Sequence, residues 1–123
     1  MSSNSNENVG PLKGLVVADF TQLAQGPWAT QMLGDMGADI IKIEPVKGDW
    51  MRHYAYGNLY PNGESISFVS FNRNKRSIAL NLKDPEGVKI AKSIIAKADI
   101  LVENFRPGVM DRFWLWIFGA IFT

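Results

Sequence analysis

The sequence contains no cysteine and has a single histidine, His53, among its 123 residues. Without cysteine the chain cannot form a disulfide or a thiolate zinc site, and one histidine cannot build a histidine cluster, so we expect no bound metal. The lack of disulfides suits the reducing cytoplasm, which is the location we expect. A strong excess of charge is missing too, because the formal net charge is +1, and we expect no nucleic-acid partner.

The sequence also lacks a hydrophobic run of membrane-spanning length. Its apolar end runs only from Phe113 to Phe122, whereas a transmembrane helix needs about 20 residues. The first ten residues are rich in Ser, Asn and Glu and lack the basic and apolar regions of a signal peptide. We therefore expect a disordered polar tail at 1–10, an ordered region at 11–112 and an aberrant apolar terminus at 113–123, with no membrane attachment.

The first half of the ordered region reads as strand, helix, strand. The apolar segment 15–20 predicts a buried strand, and Pro27 suits the first turn of a helix that Gly37 ends. Apolar residues of this helix recur at helical spacing: Ala29, Met32, Leu33 and Met36. Segment 39–44 predicts a second buried strand, which completes a βαβ unit.

The second half repeats this alternation. Segment 77–82 predicts a third strand, Asp84 and Pro85 predict a capped helix start, and 100–103 predicts a fourth strand. The apolar face of the intervening helix comprises Val88, Ala91, Ile94, Ile95 and Ala98. The fold class expected is α/β, with a Rossmann-like, mostly parallel sheet and flanking helices.

The long connection 45–74 has no clear periodicity, which is typical of a functional excursion. Segment 65–71 within it predicts a short strand or helix. We expect Asp49 and Arg52 to form a local ion pair. For the basic stretch 74–76, a solvated turn and a phosphate-facing role are equally open.

Polar and aromatic residues follow the fourth strand at once, in the order Asn104, Phe105 and Arg106, with Arg112 beyond. Ligands of open parallel sheets bind outside the carboxyl ends of the strands. An aromatic face, an amide and cations are groups that stack on a base and pair with phosphates. A nucleotide-bearing ligand fits this chemistry, although no G-x-G-x-x-G follows the first strand to indicate a classical dinucleotide site.

Characteristic blocks succeed one another along most of the chain: 11–14 (PLKG), 19–21 (DFT), 25–27 (QGP), 37–45 (GADIIKIEP), 48–49 (GD), 74–78 (NKRSI), 84–87 (DPEG) and 102–108 (VENFRPG). In this order and spacing they resemble the class III (CaiB/BaiF-type) CoA-transferases, a family with formyl-CoA:oxalate and carnitine CoA-transferases and, more distantly, 2-methylacyl-CoA racemases. The resemblance implies the N-terminal part of a larger CoA-transferase fold, in a family of interlocked homodimers.

The resemblance also implies the site. Eight positions match CoA-binding or active-site positions of the family: Gln22, Ala24, Gln25, Leu80, Lys83, Asn104, Phe105 and Arg112. Coenzyme A or acyl-CoA is then a substrate, its partner is a small carboxylic acid, and no covalently bound cofactor is expected. Without the resemblance, Phe105 reads as a core aromatic, and Lys83 and Arg112 as solvated cations.

The family's catalyst is an aspartate that attacks the acyl-CoA thioester. None of the chain's seven aspartates matches it, so we assign no catalytic residue and expect the nucleophile to lie beyond this chain, an N-terminal fragment that is inactive alone. The sequence also departs from the family after Arg112, where Trp114 and Trp116 stand at expected glycine positions. Two alternatives stay open: an acyl-CoA racemase of the same superfamily and a non-catalytic CoA-binding module.

Overall fold

The computed structural model describes residues 9–113 and 115. Within that part of the chain strands and helices alternate as follows: β1 (Val16–Asp19), α1 (Gln25–Asp35), β2 (Asp39–Glu44), α2 (Ile66–Phe71), β3 (Lys75–Ala79), α3 (Pro85–Ile95), β4 (Ile100–Val102) and α4 (Val109–Arg112). The strands form one parallel sheet in the order β3-β2-β1-β4. The predicted α/β class with a parallel sheet is confirmed.

Two elements begin where their residues predict. β2 occupies 39–44 as expected, and α3 starts at Pro85 because Asp84 caps it, its carboxylate accepting the Glu86 N–H at 2.9 Å. β3, by contrast, starts at Lys75, two residues before the predicted strand. Parallel pairing with β2 draws these residues into the sheet, with Lys75 opposite Ile40.

The connection between β2 and β3 contains three short 3-10 turns and the helix α2. Of the two alternatives for 65–71, the structure has the helix. Ser65 caps it, since its hydroxyl accepts the Phe68 N–H at 3.3 Å. The same hydroxyl donates to the Tyr54 carbonyl at 2.7 Å, which ties the helix start to the preceding turns.

The two faces of the sheet differ in chemistry because side chains alternate along each strand. Ala18 and Ile43 point to the α3 side, where a cluster with Ala91 and Ile95 forms the main hydrophobic core. The α1 side is apolar near Val17, Ala38 and Ile40. Further along the strands it becomes polar, with the buried side chains of Asp19, Lys42 and Glu44.

Helix α1 buries polar side chains, and of its predicted apolar stripe Leu33 packs against the sheet. Thr30 and Gln31 are buried, whereas Trp28 and Met32 are 58% and 51% exposed. The reason is the polar surface beneath the helix: the Thr30 hydroxyl donates to the Asp19 carboxylate at 2.7 Å. The Gln31 side-chain oxygen accepts the backbone N–H of Arg73 at 3.1 Å.

Only the start of the apolar segment 113–123 is described. Phe113 packs against the main core and Leu115 is buried within it. The remaining residues of that segment, and residues 1–8 of the expected polar tail, lie outside the described residues, so those two expectations stay predictions. No helix of the described part is long and apolar enough to cross a membrane.

The expected ion pair between Asp49 and Arg52 is wrong. Arg52 instead forms two hydrogen bonds to the Glu44 carboxylate, at 2.7 and 2.8 Å. The Asp49 carboxylate forms its ion pair with the Lys42 ammonium, at 2.9 Å. The reason is that both carboxylates are buried and each needs a cation: Lys42 pairs with Asp49, and Arg52 pairs with Glu44 at the end of β2.

Glu44 holds the start of the long connection onto the sheet. Besides Arg52, its carboxylate accepts the Asp49 N–H at 2.7 Å and the Ser77 hydroxyl. Burial raises the pKa of Glu44, but these hydrogen bonds and the Arg52 charge outweigh it and lower the pKa from 4.5 to about 2. The ionised form therefore stabilises the fold.

Glu44→Gln is expected to lower the free energy of unfolding at pH 7 and to flatten its acid dependence. Because the folded-state pKa is depressed to about 2, the contribution is complete above the unfolded-state pKa and is lost as the pH falls from about 4.5 towards 2. A shift of this size corresponds to about 3 kcal/mol. Urea unfolding of both proteins between pH 3 and 7 measures it.

Glu64→Gln is the matched control, since Glu64 lies 3.8 Å from Arg52 but its side chain is 60% exposed. It should change the unfolding free energy little. A Glu44→Gln variant with the same acid dependence as the unaltered chain would contradict the assignment.

Candidate functional site

The strand order reverses between β1 and β4, because β2 and β3 lie on one side of β1 and β4 lies on the other. In parallel α/β sheets, ligands bind in the crevice outside the carboxyl ends of the strands at such a switch point. Residues 20–24 leave β1 there, and residues 103–108 leave β4. The segments that carry Gln22 and Asn104 therefore meet at this crevice.

Asn104 joins the two segments directly. Its side-chain oxygen accepts the Gln22 N–H at 2.9 Å, and its side-chain nitrogen donates to the Gln22 carbonyl at 2.9 Å. The amide thus satisfies both backbone groups of one residue. Among the described residues, one N–H and one oxygen lone pair of the Asn104 amide have no further partner. The predicted contact of Asn104 with CoA stays a prediction.

Buried charges lie under the segment that leaves β1. The Lys42 ammonium donates to the Thr21 carbonyl at 2.7 Å and pairs with Asp49 at 2.9 Å. Asp19 accepts both the Thr21 N–H, at 2.9 Å, and the Thr21 hydroxyl, at 2.5 Å. All four residues are at most 1% exposed, so Thr21 is fixed from within the fold.

Lys75 completes this network from β3. Its ammonium lies 3.0 Å from the Asp19 carboxylate and donates to the Pro27 carbonyl at 2.9 Å and to the Asn72 side chain at 3.0 Å. Burial lowers the pKa of Lys75, while the Asp19 charge opposes this shift. Within the stretch 74–76 this lysine is therefore neither solvated nor facing a ligand.

The rest of the basic stretch lies at the amino end of β3, away from the switch point. Arg76 is bound to the Asp39 carboxylate at 2.6 Å, and Asn74 donates to Asp35 at 2.7 Å. A cavity of about 940 Å³ adjoins these residues. Because Arg76 and Asn74 are already bound to carboxylates of the fold, their contacts favour a structural role for this stretch.

A cavity of about 620 Å³ opens at the carboxyl ends of the strands. Four of the predicted site residues line it: Gln22, Leu80, Lys83 and Phe105. Phe20, Val109 and Phe113 add apolar wall. A largely apolar wall with a few polar groups is typical of a small-molecule site.

A second cavity of about 690 Å³ shares Lys83, Val109 and Phe113 with the first. Lys83, Lys92 and Arg112 line it, and its described lining contains no carboxylate. The two cavities together form what we call the cleft, apolar near Phe105 and cationic near Arg112. Among the described residues no group of His, Asp and Glu is placed to hold a metal ion.

Most predicted site residues thus reach the cleft, but not all. Ala24, Gln25 and Asn104 line neither cavity. Ala24 and Gln25 stand at the start of α1, where no side chain caps the helix, and Asn104 reaches the cleft only through its hydrogen bonds to Gln22. Lys92 was not among the predicted residues. The sequence signal that could have identified Lys92 is its position one helical turn after Val88, which also lines the cationic cavity.

The fold and the crevice together define a parallel α/β protein with helices on both faces of its sheet and a ligand cleft at the switch point. The model of CoA-transferase family III matches residues 12–116. The chain belongs to CoA-transferase family III. This confirms the resemblance that the sequence blocks carry.

Individual relatives agree. The chain is 46% identical over 110 residues to the mouse succinyl-CoA:glutarate CoA-transferase, covering 89% of this chain and 25% of the relative. It is 49% identical over 103 residues to formyl-CoA:oxalate CoA-transferase of Escherichia coli O6:H1, covering 83% and 24%. The chain therefore spans about a quarter of the length of these relatives.

Solved structures give the same fold. A crystal structure of a CaiB/BaiF family protein from Brucella suis matches with a TM-score of 0.81 at 35% identity, over 88% of this chain and 29% of that one. The parallel sheet with flanking helices therefore matches a part of a larger chain of this family.

Arg112→Ala and Phe105→Ala are expected to weaken CoA binding more than Arg52→Ala. A charge-assisted contact to phosphate contributes about 1.5–3 kcal/mol, which is roughly a ten- to hundred-fold change in Kd. Arg52 is bound to Glu44, so its loss should lower the unfolding free energy instead. Calorimetric titration with CoA measures the affinities.

Arg76→Ala is the control for removal of a cation, since its partner is Asp39 and the pair lies at the other end of the sheet. Its Kd should match that of the unaltered chain. An Arg76 or Arg52 variant that binds CoA more weakly than the Arg112 variant would reject this placement of the site.

Proposed function

We propose that this chain is the CoA-binding part of a class III CoA-transferase, which moves CoA from an acyl-CoA to a carboxylic acid. The observation that carries the proposal is the cleft at the switch point, with three cations at one end and strand-end loops at the other. Coenzyme A has the matching form: three phosphates and an adenine at one end, and a neutral pantetheine arm that ends in the thiol.

The charge distribution along the cleft supports one orientation of the ligand. Lys83 and Arg112 bind phosphate oxygens, because the described lining of the cationic cavity contains no carboxylate and Glu44, which lines the adjoining cavity, is already bound to Arg52. Phe105 packs against the adenine or the start of the arm. The thioester then lies near Gln22, at the start of the segment that leads into α1.

The chemistry that family membership supports is covalent transfer in four steps. An aspartate carboxylate attacks the thioester carbonyl and expels the CoA thiolate, which leaves a mixed anhydride. The thiolate attacks the aspartyl carbonyl and releases the donor acid. The acceptor carboxylate attacks this aspartyl thioester, and the thiolate released then attacks the acceptor's acyl carbonyl and frees the aspartate.

None of the chain's own aspartates is proposed for this role. Asp19 and Asp49 are fully buried and paired with lysines, and Asp35 and Asp39 are paired with arginines at the other end of the sheet. Asp84 caps α3. We therefore place the nucleophile beyond this chain. We also propose a cytoplasmic location for the protein.

The purified chain is expected to bind CoA but to transfer none between succinyl-CoA and glutarate, or between formyl-CoA and oxalate. A chimera in which residues 12–112 replace the matched segment of the mouse relative is expected to transfer CoA, because that relative supplies the nucleophile. Separation of the acyl-CoA species by liquid chromatography measures both.

Each result decides between the open alternatives. A folded chimera that binds CoA without turnover would favour a non-catalytic CoA-binding module or the racemase. Turnover by the purified chain alone would overturn the placement of the nucleophile. Absence of CoA binding by both proteins would reject the CoA site itself.

A further inference from the structure

The backbone at Leu23 is strained. Its φ is +69°, in the left-handed region that side chains other than those of glycine, asparagine and aspartate rarely adopt. The other non-glycine residues with positive φ in the described part are all asparagines: Asn58, Asn62 and Asn74. Leu23 gains little from packing, because it is 48% exposed. Its conformation must therefore be imposed by the residues around it.

The residues before Leu23 supply this restraint from two directions. On the buried side, Thr21 is held by Lys42 through its carbonyl and by Asp19 through its N–H and hydroxyl. On the exposed side, Gln22 is held by the two hydrogen bonds of Asn104.

The two restraints differ in kind. The buried one belongs to the charge network that also connects strands and helix α1, so the fold requires it. Asn104 is exposed, comes from the loop after a different strand and contacts Gln22 across 82 positions of sequence. Its side chain must supply one donor and one acceptor at once. A carboxylate only accepts and an ammonium only donates, whereas an amide has a donor nitrogen and an acceptor oxygen with fixed roles.

We propose that Asn104 is a positioning residue that holds the Gln22 backbone, and through it the strained turn at Leu23, against the thioester end of acyl-CoA. This rests on the proposed function. Gln22 lines the cleft, so fixing its backbone fixes that part of the wall. The role differs from the direct CoA contact that the resemblance implies for Asn104.

Two ligand probes separate these roles. Succinyl-CoA carries a thioester, whereas adenosine 3′,5′-bisphosphate has the base and two of the three phosphates of CoA without the arm. Asn104→Ala is expected to weaken succinyl-CoA binding at least about five-fold, as the loss of two hydrogen bonds predicts, and to leave the bisphosphate Kd unchanged. Arg112→Ala should weaken both. Calorimetric titration of the whole chain gives the four values.

The control is Ser93→Ala, because Ser93 is exposed on α3, lines neither cavity of the cleft and has a side chain that likewise donates to a backbone carbonyl, that of Ile90, at 2.7 Å. It should not reproduce the selective loss. In a Leu23→Gly background, Asn104→Ala should change the succinyl-CoA Kd by less than about two-fold, since glycine adopts positive φ without strain. Amide exchange by NMR should show faster exchange of the Gln22 N–H in Asn104→Ala and unchanged exchange in β1.

The outcomes separate this inference from the proposed function. Equal weakening of both probes by Asn104→Ala would make Asn104 a direct ligand of the nucleotide end and overturn the inference, as would unchanged exchange at Gln22. If the β1 amides of Asn104→Ala also exchange faster, the substitution has disturbed the fold. Asn104→Asp is then measured in its place, because the carboxylate keeps an acceptor for the Gln22 N–H. Failure of the unaltered chain to bind either probe would instead reject the proposed function.

Discussion

The carboxylate of Asp19 connects three separate parts of this fold. It is fully buried, and it accepts hydrogen bonds from Thr21 in the loop after β1, from Thr30 in α1 and from Lys75 in β3. A buried carboxylate is costly unless it is paired and hydrogen-bonded. The positions of the loop, the helix and the edge strand are therefore coupled, because each must be in place for the buried charge to be stable. The loop fixed in this way forms part of the cleft.

Local signals in the sequence predict elements well where the interactions are local. β2 and the start of α3 follow from a buried apolar segment and from the Asp84–Pro85 cap. The buried face of α1 does not follow, because Thr30 faces inward only when Asp19 lies beneath it. The two-residue error at β3 has the same origin, since Lys75 reads as a surface cation until the buried carboxylate is known.

The candidate site likewise has residues that the sequence predicts and contacts that it does not. The resemblance to the family supplies Leu80, Lys83 and Phe105, and all three line the cleft. The bond between Asn104 and Gln22 joins residues far apart in sequence, and no spacing rule predicts it. The predicted partner of Arg52 was wrong for a related reason: sequence proximity favours Asp49, but Asp49 pairs with Lys42 from β2, and Arg52 binds Glu44.

The edges of the sheet carry a consequence for behaviour at high concentration. An exposed edge strand offers unpaired backbone groups to strands of other molecules, and short length or charged side chains reduce this tendency. At one edge of the described sheet, β3 carries the exposed cation Arg76; at the other, β4 has three residues, Ile100–Val102. Both edges are thus poor templates for intermolecular strand pairing, so amyloid-like stacking through this sheet is disfavoured.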